Sequence, residues 1–69
     1  MSNHVYKKIE LVGSSPNSVE EAIQEAISTA SQSLEHIDWF EVSEVRGDVK
    51  NGQIGHFQVS LKVGFRLNT

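Results

Sequence analysis

The thirty residues Asp38–Leu67, DWFEVSEVRGDVKNGQIGHFQVSLKVGFRL, decide the fold. From Phe57 onward apolar and polar residues alternate. Phe57, Val59, Leu61, Val63, Phe65 and Leu67 point one way, and His56, Gln58, Ser60, Lys62, Gly64 and Arg66 the other, which is the period of a strand. Asn51 and Gly52 divide the stretch into two strand-like segments. They are a hairpin signal, because a type I′ turn needs positive φ at both central residues and Asn and Gly tolerate it best. Counting back from that turn sets Lys50 opposite Gln53, Glu44 opposite Val59, Val42 opposite Leu61 and Phe40 opposite Val63. On the polar side the same count sets Glu41 opposite Lys62, Ser43 opposite Ser60 and Trp39 opposite Gly64, with Val45 beside Gln58. Opposite charges and paired hydroxyls across strands contribute about 0.2–1 kcal/mol each, so the register is chemically coherent. A bulge near Gly47 would shift it by one and turn every later side chain over. The register puts Trp39, the only tryptophan, on the polar side.

Working outward, His4–Val12 reads as a strand with Ile9 and Leu11 toward the core, and Gly13, Ser14, Ser15, Pro16 and Asn17 read as a turn. Ser18 with Glu21 three residues on has the form of a capping box, and Glu20 and Glu21 suit the positive end of a helix dipole. Ser15 capping a helix with Pro16 in its first turn is the competing start. Val19, Ala22, Ile23, Ala26, Ile27, Ala30, Leu34 and Ile37 form an apolar stripe at helical spacing, which predicts a helix of four to five turns. Its other face, Glu20, Glu21, Gln24, Glu25, Ser28, Gln32 and Glu35, reads as solvated surface. The order is strand, helix, strand, strand, an α+β fold of the βαββ kind over a single domain, residues 1–69. The helix is expected to cover a floor made by Ile9, Leu11, Phe40, Val42, Val59, Leu61, Val63 and Phe65. The face bearing Trp39 is left over, for a ligand or for other subunits.

A 69-residue chain folding alone buries only about 60% of its extended surface. With no cysteine, neither a disulfide nor a Cys-ligated metal supplements the core, so association with copies of itself is expected. Met1–Val5 lacks the apolar core of a signal peptide and no apolar run approaches membrane-spanning length, so a soluble cytoplasmic protein without a membrane partner is expected. The net charge of −3 is unevenly spread. Between Ser14 and Asp38 stand five acidic residues and no Lys or Arg; the remainder carries all six cations against four carboxylates, a balance of +2. That favours an anionic ligand on the sheet but falls short of the basic stripe of a nucleic-acid binder.

Tryptophan is most often an edge-of-core aromatic. Here Phe40 takes the core-facing position, and Gly64 opposite leaves room for a flat ring above the strand. Gln58 on the same strip offers donors and an acceptor to the edge of a heteroaromatic ring. Arg46 and Arg66 suit phosphate binding or ion pairing, with Glu44 or with a neighbouring subunit, and both readings stay open. His4 and His56 have no second ligand at metal spacing. No base is positioned beside a nucleophile and no glycine-rich loop cradles phosphate, so binding is expected, without catalysis.

Three segments, VYKKIELVG (Val5–Gly13), DWFEVSEVRG (Asp38–Gly47) and FQVSLKVGFRL (Phe57–Leu67), joined by one amphipathic helix, resemble the dodecin family over nearly the whole chain. The resemblance implies an antiparallel sheet wrapped around a long helix and twelve copies assembled as a hollow sphere. It implies flavins bound between subunits, with Trp39 stacked on the isoalloxazine and Gln58 hydrogen-bonded to its polar edge. Arg46 and Arg66 fall near the ligand's phosphate end or the subunit contact. The implied role is storage of riboflavin, FMN or FAD and quenching of its photochemistry, with coenzyme A as a second ligand to test. The alternative is a structural homo-oligomer with Trp39 buried between subunits and no small ligand.

Overall fold

The computed structural model describes residues 3–67. Its elements are β1 (Tyr6–Ser15), α1 (Val19–Ala30), β2 (Ile37–Lys50) and β3 (Gln53–Arg66). They form one antiparallel sheet in the order β1-β3-β2. The most regularly alternating strand therefore lies in the centre. Its inward residues Val59, Leu61 and Val63 are fully buried, against Ala22 and Ala26 of the helix. The hairpin turn has the expected geometry, with φ of 53° at Asn51 and 73° at Gly52.

Four expectations need correction: the end of β1, the length of the helix, its cover of the floor and the middle of the hairpin register. Strand β1 continues through Gly13 to Ser15, paired with Val59 to Phe57, where a turn was expected. Gly13 stands there because the helix passes directly over it. A Cβ would overlap the Ala22 carbonyl oxygen and come within 3.0 Å of the Ala26 Cβ. Ser18 caps the helix as expected, over the competing Ser15: its hydroxyl accepts from Glu21 N at 3.0 Å. Ser15 is nevertheless part of the start. Its buried hydroxyl accepts from Asn17 N at 2.9 Å and Ser18 N at 3.3 Å and donates to the Glu21 carboxylate, which also accepts from Asn17 Nδ2 at 2.8 Å. The Ser15 hydroxyl first, and Asn17 second, hold the Glu21 carboxyl below its ordinary pKa.

The helix has twelve residues, not four to five turns. After Ala30 the backbone tightens, with Gln32 N bonded to Thr29 O and Ser33 N to Ala30 O. Thr29, Ser31 and Ser33 crowd this end with side chains that compete for backbone hydrogen bonds and disfavour helix interiors. Leu34 and Ile37 still pack against the core from outside the helix, which is why the apolar stripe outlasts it. His36, at φ 62°, then turns the chain into β2.

A twelve-residue helix is about 18 Å long, whereas strands of fourteen residues run about 46 Å. The helix accordingly packs on β1 and β3 and barely reaches β2. The floor is covered only in part: Phe40 remains 48% exposed and Val42 43%. The chain is an elongated body of 57 × 20 × 13 Å with an apolar strip of β2 bare on the helix side.

Within the hairpin, the turn-derived register holds at Lys50–Gln53 and again at Val42–Leu61, Glu41–Lys62, Phe40–Val63 and Trp39–Gly64. Between these ends it is displaced by one. Ser43 is the extra residue on β2, its hydroxyl donating to Ser60 O at 3.1 Å, and Gly55 is the extra residue on β3. Glu44 thus lies opposite Ser60, Val45 opposite Val59 and Arg46 opposite Gln58. The expected pairs Glu44–Val59, Ser43–Ser60 and Val45–Gln58 do not form. These two bulges lie on opposite strands and cancel between the turn and Trp39; a third irregularity, at Asp38, pairs Ile37 with Phe65. Asp48 anchors the second: its Oδ1 accepts from His56 N at 2.6 Å and would lie 2.7 Å from a Cβ at position 55.

Candidate functional site

Trp39 lies on the sheet face away from the helix. Val63 points into the core, so its neighbour Gly64 points outward, and the indole lies flat across Gly64. A Cβ on Gly64 would fall among the ring atoms Cζ2, Cε2 and Cη2. The Tyr6 ring meets the indole edge-on, centroids 5.2 Å apart at 67°. The indole Nε1 donates to Glu41 Oε2 at 3.0 Å, and Lys8 Nζ, reaching across β3 from β1, bonds both oxygens of that carboxylate at 3.2 and 3.3 Å. The hydrogen bond from Trp39, and after it Lys8, lower the Glu41 pKa; Lys62, its partner in the ladder, contributes only at a distance. One ring face is thus seated on the Gly64 backbone and the N–H is taken up by Glu41.

Arg46 reaches this strip only through the Ser43 bulge. In the uninterrupted register it would share the apolar side with Phe40 and Val42; the extra residue turns it over and puts Val45 there instead. Its Nε donates to Gln58 Oε1 at 3.0 Å and its Nη1 bonds Glu44 at 3.0 Å. Because guanidinium only donates, the Gln58 oxygen faces Arg46 and the amide nitrogen is directed elsewhere. Arg66 is half-buried two residues beyond Gly64, with Nη2 3.5 Å from His36 Nδ1.

The four residues singled out from sequence therefore share one face but form two groups. Arg66 stands near Trp39, and Arg46 is bonded to Gln58. Gly64, under the indole, and Gln58 are six residues apart on β3, about 20 Å, more than one fused ring system spans. A single chain does not bring Trp39 and Gln58 onto one ligand. Sequence reasoning missed Tyr6, Lys8 and the indole contact of Glu41. Glu41 was paired with Lys62 across the ladder, while Lys8 lies on a strand whose neighbour the sequence does not name.

A groove of about 460 Å³ between β1 and the helix, lined by Ile9, Leu11, Val12, Ala26, Ala30 and Leu34 among others, belongs to the helix side and contains none of the four residues. No helix among the described residues is long and apolar enough to cross a membrane.

The sequence profile described as Dodecin matches residues 5–68. The chain is 52% identical over 63 residues to the dodecin of Thermus thermophilus, covering 91% of each protein. Among solved structures it is similar to dodecin from Streptomyces coelicolor, with a TM-score of 0.94, 52% identity and 100% and 99% of the two chains covered. It is likewise similar to dodecin from Streptomyces davaonensis, with a TM-score of 0.93, 54% identity and 99% and 100% covered. With the strand order, the antiparallel sheet and the single helix in agreement, this chain belongs to the dodecin family.

Proposed function

We propose that the protein stores flavin in a homododecamer and quenches its photochemistry, without turning it over. The observation that carries this reading is the Trp39 ring laid flat on Gly64 on the face the helix leaves bare. Stacking on such a ring adds about 0.5–1.5 kcal/mol beyond area burial, and a closed oligomer repeats the ring about its symmetry axes. The 20 Å between the Trp39 and Gln58 positions calls for two copies at each ligand, one supplying the indole and another the amide edge. The bare strip of Phe40, Val42 and Val45 supplies the apolar contact such assembly needs. Arg46 and Arg66 take the phosphate end of FMN or FAD, and riboflavin binds through the ring alone. An indole in van der Waals contact drains the excited state of the ring by giving up an electron and taking it back.

The function belongs in the cytoplasm, with no nucleic acid or membrane as partner. Native mass spectrometry of the protein as isolated reads copy number and bound ligand together; twelve copies with flavin are expected. Titration into riboflavin and FMN should quench their emission, and Trp39→Ala should abolish most of that quenching. Unchanged affinity and quenching in Trp39→Ala would refute the stacking role. Twelve copies without flavin uptake would leave a structural oligomer. Competition by coenzyme A against FMN tests whether the arginines also accept that cofactor.

A further inference from the structure

We propose that the Lys8–Glu41 ion pair is the positioning device for Trp39, fixing the rotation of its ring so that one face rests on Gly64 and the other stays open to a planar ligand. A tryptophan on an exposed strand face has two free torsions, and seating on glycine alone restrains the tilt of the ring but not its swing in the plane of the sheet. The swing is stopped at the indole nitrogen. Glu41 is two residues from Trp39 on β2, so both side chains leave the same face, and its Oε2 takes the N–H at 3.0 Å. A carboxylate on a three-torsion stem would itself wander; Lys8 holds it from the far edge strand through both oxygens at 3.2 and 3.3 Å. Tyr6, also on β1, closes the side of the ring with an edge-on contact at 5.2 Å. Two residues of β1 and one of β2 thus meet over the glycine of β3 and grip the ring from its rim.

Among the described residues, the charged groups in line with Glu41 on the sheet are Lys8, Lys62 and Glu10. Lys8 is bonded to it, Lys62 stands opposite on β3, and Glu10 lies beyond Lys62 on β1. Lys62 is thus flanked by two carboxylates, Glu10 and Glu41, in one row. Lys8, opposite Gly64 in the neighbouring row, is the cation that bonds the indole's acceptor.

The geometry is tested without ligand, because the chain has a single indole. In protein labelled with nitrogen-15 at the indole, the one N–H resonance should lie downfield and move upfield on acidification, at a midpoint below the ordinary carboxylate range. Lys8→Met should raise that midpoint. Glu41→Gln should hold the resonance near the wild-type acid limit, since the amide oxygen still accepts but carries no charge, and lose the pH response. Glu41→Leu should lose both.

The ligand arm rests on the flavin reading. There Glu41→Leu should weaken FMN binding by about five-fold or more and Glu41→Gln by less than about two-fold. An indole resonance in Glu41→Leu unchanged from wild type would overturn the proposal, as would FMN affinity equal to wild type in that variant. Should Glu41→Leu fail to assemble, the wild-type pH titration and Lys8→Met decide the matter alone. A wild-type protein that ignores FMN would sink the flavin reading while leaving the indole measurement to judge the positioning pair.

Discussion

Adding one methyl group at Gly64 separates the platform from the fold. The new Cβ would fall among Cζ2, Cε2 and Cη2 of Trp39. Carbon atoms settle at about 3.5–4.0 Å, so the ring must lift or swing by roughly 1 Å or more. The obstacle is a side chain and not backbone, so the Trp39–Gly64 pairing of β2 and β3 can persist. Overpacking costs about 1–3 kcal/mol, and replacing glycine in a strand recovers about 0.4–1 kcal/mol from the unfolded chain. The net of about 0–2.6 kcal/mol lowers the thermal midpoint by no more than roughly 20 °C in a domain this small. Binding should suffer more visibly. Stacking a planar ring on an aromatic side chain is worth about 1–3 kcal/mol, so Gly64→Ala should raise the FMN dissociation constant about 5- to 150-fold. Fluorescence titration measures this, with native mass spectrometry confirming the assembly. In a double-mutant cycle, Gly64→Ala added to Trp39→Ala should cost little further affinity, because both act through one ring. Wild-type affinity in folded, assembled Gly64→Ala would refute the idea that the seat on Gly64 makes the site.

Gly13→Ala places its Cβ against the Ala22 carbonyl, 2.9 Å from the carbonyl carbon, where only the whole helix can give way. A loss of at least about 1–3 kcal/mol is expected in chemical denaturation, and a midpoint unchanged from wild type would mean the helix rides higher than described. Ser15→Ala leaves the amides of Asn17 and Ser18 without their acceptor, for a loss of about 1–3 kcal/mol. It also returns the Glu21 pKa toward its ordinary value. A depressed carboxylate contributes stability that is in place above its unfolded pKa and lost as pH falls through its folded one. Thermal midpoints of Ser15→Ala should therefore fall less steeply than those of wild type on acidification below about pH 5. Equal slopes would exclude the Ser15–Glu21 bond as the cause. Phe40→Asp puts an unpaired carboxylate on the bare strip of β2, and native mass spectrometry should find species smaller than twelve. Intact dodecamers from that variant would show the strip is not the contact.

Local pattern carried much of this protein. Strict alternation from Phe57 to Leu67 named the last strand and its buried side, Asn51–Gly52 named the turn, and Ser18 with Glu21 named the helix start, since each signal is decided within a few residues. The side of the sheet on which Trp39 sits followed from the same alternation. What local pattern could not carry depends on residues distant in the chain. The helix ended early because a Ser- and Thr-rich stretch outweighed an apolar stripe whose last members, Leu34 and Ile37, pack from the connection and from the start of β2. Gly13 looked like a turn residue until a helix was laid over it. The paired bulges at Ser43 and Gly55 cancel each other before Trp39, so only three-dimensional pairing reveals that Arg46 joins Gln58 on the Trp39 face. The same holds for Lys8: β1 and β2 never pair with each other, and only the strand order across β3 sets the lysine of one against the carboxylate of the other, over the glycine on which the indole rests.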